Sequence, residues 1–312
     1  MTVTISDIAA AEAVIRPHIR RTPVIEVNPG DVGISWRGRL TLKLECLQHT
    51  GSFKTRGAFA TLLSAPKDGR GFAAVSGGNH GAAVACAAAT LGEKAVIFVP
   101  EYAPQRKIDK IRAHGPDLRV TGATIAETMA AYGAFVVETD AHPVHPYDAP
   151  MTVAGQGTVG LEWAGQSPDL DAVLVAIGGG GLISGVGVAM AAGPAVIGVE
   201  PVGAACAHKA RRAGRPVEAV PTSFARDSLG APSLGPLTHA LIDAHVDELL
   251  LVEDDAIRAA QAALWRQCCV AAEPGGATAL AALISGAVTP EPGAHIGVLV
   301  CGANFDPAAL SA

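Results

Sequence analysis

The sequence predicts an α/β fold with mainly parallel sheets, divided into two lobes. Short apolar runs at 72–75, 95–99, 172–177 and 296–300 alternate with helix-length segments. Strands that are apolar along their whole length are those buried on both faces, as in parallel sheets with helical crossovers. At 312 residues the chain also exceeds the size at which a single hydrophobic core stops growing, which favours two lobes.

Ser6 or Asp7 is placed to cap an opening helix carrying Ile8, Ala11, Val14 and Ile15. A strand is expected over 40–44 and a helix over 53–63. The strand at 72–75 leads into an Ala-rich helix over 80–91, and the strand at 95–99 into a helix over 104–114 with Pro104 in its first turn. Short strands at 118–120 and 135–137 flank a helix over 125–132. The Pro/His-rich stretch 141–150 marks a crossing between lobes. Beyond Pro150 come a helix at 153–164, a strand at 172–177, a helix at 183–192 and a strand at 195–199. Residues 201–247 are irregular in composition and have no pattern that orders them. A long amphipathic helix over 254–270, a helix over 276–285 and a strand over 296–300 complete the series. No internal repeat stands out.

With 49% apolar and 17% charged residues the chain is a folding sequence, not a disordered one. A net charge of −6 without a dense Lys/Arg tract argues against nucleic acid or an anionic membrane as partner. Arg211, Arg212 and Arg215 suit a solvated helix end. The six cysteines form no CxxC pair and no His/Cys metal pattern, and read as buried thiols in a reducing compartment. The opening residues lack a basic start followed by a long apolar core, and no window approaches 18 clean apolar residues. A cytoplasmic protein is expected.

The most informative stretch is Thr50-Gly51-Ser52-Phe53-Lys54-Thr55-Arg56-Gly57. It sets Lys54 between a small polar loop and the start of an apolar helix. Desolvation there would lower the lysine's pKa, and a neutral amine can form a Schiff base with an aldehyde cofactor. An ordinary N-terminal helix lysine fits this stretch equally well. Three further segments favour chemistry: Ser76-Gly77-Gly78-Asn79-His80-Gly81 between a strand and a helix, Gly178-Gly179-Gly180-Gly181-Leu182 likewise, and Val300-Cys301-Gly302-Ala303-Asn304 at the end of the last strand.

With Lys54, these segments resemble the signature set of fold-type II pyridoxal-phosphate enzymes, above all the serine/threonine dehydratase (ammonia-lyase) branch, which includes serine racemase. Lys43-Leu44-Glu45, Ala154-Gly155-Gln156-Gly157-Thr158 with Glu162, Gly198-Val199-Glu200-Pro201 and Glu273-Pro274-Gly275-Gly276-Ala277 agree with it, so the resemblance runs from Arg21 to Asn304. It implies a two-lobed fold in which a small α/β domain, 51–140, is inserted into a large parallel-sheet domain made of 1–50 and 141–312. The implied cofactor is pyridoxal 5'-phosphate, bound through Lys54.

Four glycines between a strand and a helix offer unshielded N–H groups and the positive end of a helix dipole, which suits Gly178, Gly179, Gly180 and Gly181 with Leu182 to a phosphate; a flexible turn is the plainer reading. By resemblance Asn79 meets the cofactor's phenolic oxygen, Glu273 belongs to the cofactor site, and Ser76, Gly77, Gly78, Asn79 and His80 hold the substrate carboxylate. Phe53 lies against the ring or simply packs in the core. Cys301 aligns with the position facing the pyridine nitrogen; a small neutral partner there makes a weaker electron sink and favours elimination, while a buried strand-end cysteine is the alternative.

The implied reaction is β-elimination of L-serine or L-threonine to a 2-oxo acid and ammonia, with Lys54 as base on the α-proton. Hydroxyaspartate dehydration, racemisation and cysteine-synthase-type β-replacement are the alternatives on the same fold, and a non-catalytic small-molecule-binding protein is the alternative outside it. Family racemases carry a serine where this chain has Gly77, which points away from racemisation. His80 stands where the β-replacement enzymes usually carry threonine. The cation site of some relatives matches at Glu200 and Ala204 but has Cys206 in place of an aspartate, so no metal is expected. The family habit is a homodimer, and no feedback-regulatory domain is expected.

Overall fold

The computed structural model describes residues 2–306. Met1 and residues 307–312, the outer ends of the segments expected for the large lobe, lie outside the described residues. In chain order the elements are α1 (Ile5–Ile15), β1 (Val24–Val27), β2 (Arg39–Lys43), α2 (Lys54–Ser64), β3 (Phe72–Val75), α3 (Asn79–Leu91), β4 (Ala95–Val99), α4 (Gln105–Arg112), β5 (Asp117–Val120), α5 (Ile125–Thr139) and β6 (His142–Pro143). There follow α6 (Pro150–Gln166), β7 (Ala172–Ala176), α7 (Gly181–Ala189), β8 (Ala195–Pro201), α8 (Cys206–Ala213), α9 (Arg226–Leu229), α10 (Pro236–His245), β9 (Glu248–Val252), α11 (Asp254–Cys268), α12 (Pro274–Ile284) and β10 (His295–Leu299).

Two sheets result. The larger runs β1-β2-β10-β7-β8-β9 and the smaller β5-β4-β3-β6. Every pairing is parallel except that of β1 with β2. The central strands β7 and β10 are buried at every residue, which is why, His295 at the start of β10 apart, their sequences run apolar instead of alternating. The fold class is therefore α/β with parallel sheets, as expected. The smaller sheet takes β6 from residues 142–143, just past the 51–140 span that the resemblance implies.

Several local expectations are corrected. Thr4, not Ser6 or Asp7, caps α1; its hydroxyl accepts from Asp7 N while the Asp7 carboxylate accepts from Thr4 N at 2.8 Å, a reciprocal capping box. Residues 135–137 are not a strand but the last turns of α5, because no proline or cap interrupts 125–139 and Thr124 caps its start. The irregular stretch 201–247 contains α8, α9 and α10, and the strands β1 and β9 also escaped the pattern. β1 and β9 lie at the two edges of the larger sheet, only partly buried, so their apolar signal is weak.

One contact sets the position of the site. α2, α6 and α7 pack at backbone distance. A Cβ on Gly155 of α6 would lie 2.7 Å from the Arg56 carbonyl oxygen of α2, and one on Gly185 of α7 would lie 2.4 Å from Gly157 N of α6. Glycine is needed at these crossings for close approach, and the result fixes the helix that begins with Lys54.

Candidate active site

Lys54 is placed from two directions. Ser52 forms a β-bridge to Gly302, Phe53 N donates to the Cys301 carbonyl at 3.2 Å, and Ala303 N donates to the Gly51 carbonyl at 2.9 Å. The lysine loop is thus sewn to the end of β10. Thr50 takes a left-handed conformation (φ 59°) to make the turn, and the Thr55 hydroxyl donates back to the His49 carbonyl. From the other side, Arg56 is fully buried and grips Glu45 through Nε and Nη2 at 2.9 and 2.7 Å, with Glu162 at 3.0 Å. Glu162 also receives Lys43 and, at 2.7 Å, Arg16.

The Lys54 amine donates to the Pro146 carbonyl at 2.6 Å and lies 5.1 Å from the centre of the Phe53 ring. Burial pulls its pKa down to about 8, with the nearby Cys301 and Glu273 acting in the other direction.

Opposite stands the glycine turn that joins β7 to α7. Gly180 needs its left-handed conformation (φ 88°). Among the described residues no group accepts from the N–H of Gly178, Gly179, Gly180, Gly181 or Leu182. A Cβ on Gly179 would overlap the Tyr147 ring at 2.2 Å, and one on Gly181 would meet the Tyr147 carbonyl oxygen at 2.8 Å. The turn is a concave set of free donors at a helix N-terminus, the arrangement that suits a phosphate.

The third wall is the start of α3. Gly78 N donates to the Ser76 hydroxyl at 3.1 Å. His80 is buried, and its Nε2 lies 2.9 Å from the Val144 carbonyl. A carbonyl only accepts, so the proton sits on Nε2. Burial, aided by the Lys54 charge, pulls the imidazole down to about 3 and keeps it neutral. The Asn79 amide donates to Glu273 at 2.6 Å, and its oxygen accepts from Asn304; the Lys110 amine completes this chain at the Asn304 side-chain oxygen. Burial raises the Glu273 carboxyl. Cys301 donates to the Gly275 carbonyl at 3.4 Å, and burial pushes its thiol far above the ordinary range, so it is neutral.

Phe53, Lys54, residues 76–80, residues 178–182, Glu273 and Cys301 line one cavity of about 500 Å³. The candidate residues for a cofactor and for a carboxylate thus converge on a single cleft between the larger sheet and α3. The family described as pyridoxal-phosphate dependent enzyme matches residues 15–302.

The chain belongs to this family.

As a pyridoxal-phosphate enzyme it has near relatives of known name. It is 38% identical to the phenylserine dehydratase of Ralstonia pickettii, over 98% of this chain and 95% of that protein. It is 36% identical to the L-threonine ammonia-lyase of Geobacter sulfurreducens, over 97% of this chain and 76% of that one. The structure of maize serine racemase superposes with a TM-score of 0.93 at 34% identity, covering all of this chain and 96% of that one. The residues present fit the family's cofactor: an amine that is partly neutral near pH 8, free N–H donors, an aromatic ring and a neutral thiol all line the same cavity.

The remaining candidates lie elsewhere. Glu200 and Ala204 are not among the cavity-lining residues. Glu200, next to last in β8, accepts from Ala207 N and His208 N, each at 2.8 Å, at the head of α8, while burial raises its carboxyl to about 7. Several cavity residues had no signal in the sequence. Pro146 contributes only a carbonyl, and Tyr147 sits in what read as a lobe crossing. Lys107 of α4 had none either; it reaches Asp227 at 3.0 Å, and both line the cavity although 120 positions apart.

Proposed function

We propose that this pyridoxal-phosphate enzyme is an ammonia-lyase that converts an L-β-hydroxy amino acid, serine or threonine, to a 2-oxo acid and ammonia. The observation that carries this reading is Lys54, whose amine is held by a carbonyl instead of a carboxylate and can therefore give up its proton near neutral pH. When bound, pyridoxal phosphate supplies an aldehyde for an amine to condense with and a ring that accepts electrons. The chain does the rest. The N–H groups that open α3 at Asn79 and His80, with the Ser76 hydroxyl beside them, receive the substrate carboxylate, as helix N-termini receive anions. Lys54 takes the α-proton and hands it on to the departing β-hydroxyl, which leaves as water; hydrolysis of the resulting enamine in solution gives the 2-oxo acid and ammonia. The neutral Cys301 cannot strengthen the ring's pull on electrons, which suits a reaction whose electrons leave with the β-substituent. At Gly77, where an added Cβ would meet Ala103 at 3.0 Å and Val99 at 3.2 Å, no hydroxyl is present to return a proton from a second face. That speaks against racemisation.

A second substrate reading has its own support. Val75, Pro100, Tyr102, Ala103 and Ile125 are among the residues lining the cavity, and a dehydratase named for phenylserine is among the near relatives. Apolar lining of this kind favours a bulkier, apolar β-substituent. The test is 2-oxo acid release by the loaded protein across serine, threonine, 3-phenylserine and 3-hydroxyaspartate. Release from none of them would refute the ammonia-lyase reading. In keeping with the family resemblance the assembly is a cytoplasmic homodimer, checked by light scattering for twice the chain mass. No helix among the described residues is long and apolar enough to cross a membrane.

A further inference from the structure

Cys206 opens α8 and is buried, yet its thiol reaches the glycine turn. Its Sγ lies 3.2 Å from the carbonyl oxygen of Gly178 and donates to it. Among the described residues no other donor reaches that oxygen. Behind it Glu200 holds the helix that carries the thiol, its carboxylate also within hydrogen-bond reach of the thiol itself. Both carboxylate oxygens of Glu200 accept an amide from the first turn of α8, Ala207 N and His208 N. This clamps the helix start to β8, the strand that pairs with β7.

The geometry has a directional effect. There are no cis peptides among the described residues, and a trans peptide points its C=O and N–H in opposite directions. Drawing the Gly178 oxygen outward to α8 therefore turns the Gly179 N–H inward, toward the cavity that both glycines line. Two successive glycines have little preference of their own for one peptide orientation, so something outside the turn must choose it.

We propose that Cys206 is a positioning residue for the cofactor phosphate: its thiol locks the Gly178–Gly179 peptide with the N–H aimed into the cradle. The inference rests on the glycine turn being the phosphate site. The test strips the full-length protein of cofactor and titrates it with pyridoxal phosphate and, separately, with pyridoxal, which lacks the phosphate. Cys206→Ala is expected to weaken pyridoxal phosphate by about three- to tenfold, the range of one hydrogen bond, and to leave pyridoxal unchanged. Cys206→Ser, which keeps a donor, restores the affinity, and the ³¹P signal of the bound phosphate shifts in the alanine variant alone. Equal weakening of both ligands, or no weakening, overturns the proposal. If the alanine variant does not fold, Cys206→Val makes the same comparison against serine. Gly179→Val tests the cradle itself. If that variant keeps the full preference for the phosphorylated ligand, the cradle reading falls and the tether with it. If it loses the preference while Cys206→Ala does not, only the tether falls.

Discussion

Lys54 is paired with the Pro146 carbonyl at 2.6 Å, and a carbonyl contributes less to holding a proton on the amine than a carboxylate would. Burial then governs and lowers the pKa to about 8 from an ordinary 10.5. The sign is clear: a depressed amine pKa means the reactive neutral form gains population as pH rises through 8. The rate at which the stripped protein takes up pyridoxal phosphate should rise with pH about a midpoint near 8, followed by rapid-mixing absorbance. A midpoint near 10.5 would contradict the burial argument. Lys54→Ala should lose turnover by at least about a thousandfold, as removal of a covalent and general-base group does, together with the visible absorbance of the loaded protein. Retained turnover would overturn the assignment. At this scale the sequence was legible for part of the cavity lining. Lys54, Asn79, His80, Glu273 and Cys301 stand in recognisable surroundings and do converge on one cavity. Pro146 was not legible, because it acts through a backbone carbonyl, which every residue has.

At the scale of elements, the start of α2 is held by buried charge. Arg56, Glu45, Lys43 and Glu162 are all buried and joined into one network that ties α2 to β2 and α6. Such groups tolerate paired burial but not the loss of one partner, which costs about 3–5 kcal/mol. Arg56→Met should lower unfolding stability by about that amount in a urea melt; an unchanged midpoint would show the network to be inert. Burial alone would raise the Glu162 carboxyl, but Arg56, Lys43 and Arg16 outweigh it and hold it down to about 2, below an ordinary 4.5. Its stabilising contribution is therefore complete above pH 4.5 and is lost as pH falls toward 2. Glu162→Gln should flatten that part of the stability profile. Elements were readable where burial imposed a period or an unbroken apolar run, as in β3, β4, β7 and β10. They were misread where tertiary packing set the outcome. The 135–137 stretch carries Phe135, Val136 and Val137 and reads as strand by composition, but Phe135 packs on Phe98 at 5.6 Å as part of α5.

At the scale of the molecule, two sheets face a shared cleft, and α4 reaches across it twice. Lys107 pairs with Asp227, and Lys110, three residues on, bonds Asn304. Asp227 is largely exposed, so the first pair is worth at most about 1 kcal/mol of stability. Lys107→Ala should leave the unfolding midpoint nearly unchanged while speeding ligand dissociation by up to about fivefold, the kinetic equivalent of that energy; stopped-flow displacement measures it. A large stability loss with no kinetic change would show the contact to be structural. Alternation of strands and helices announced the fold class, yet strand order was beyond reading, since nothing in an apolar run says which neighbours it will have. The strand that fills the centre of the larger sheet, between β2 and β7, is β10. During synthesis it leaves the ribosome after the other five, so the nascent sheet stays split down the middle, and the lysine loop has no β10 to be stitched to, until residues 295–302 have themselves emerged.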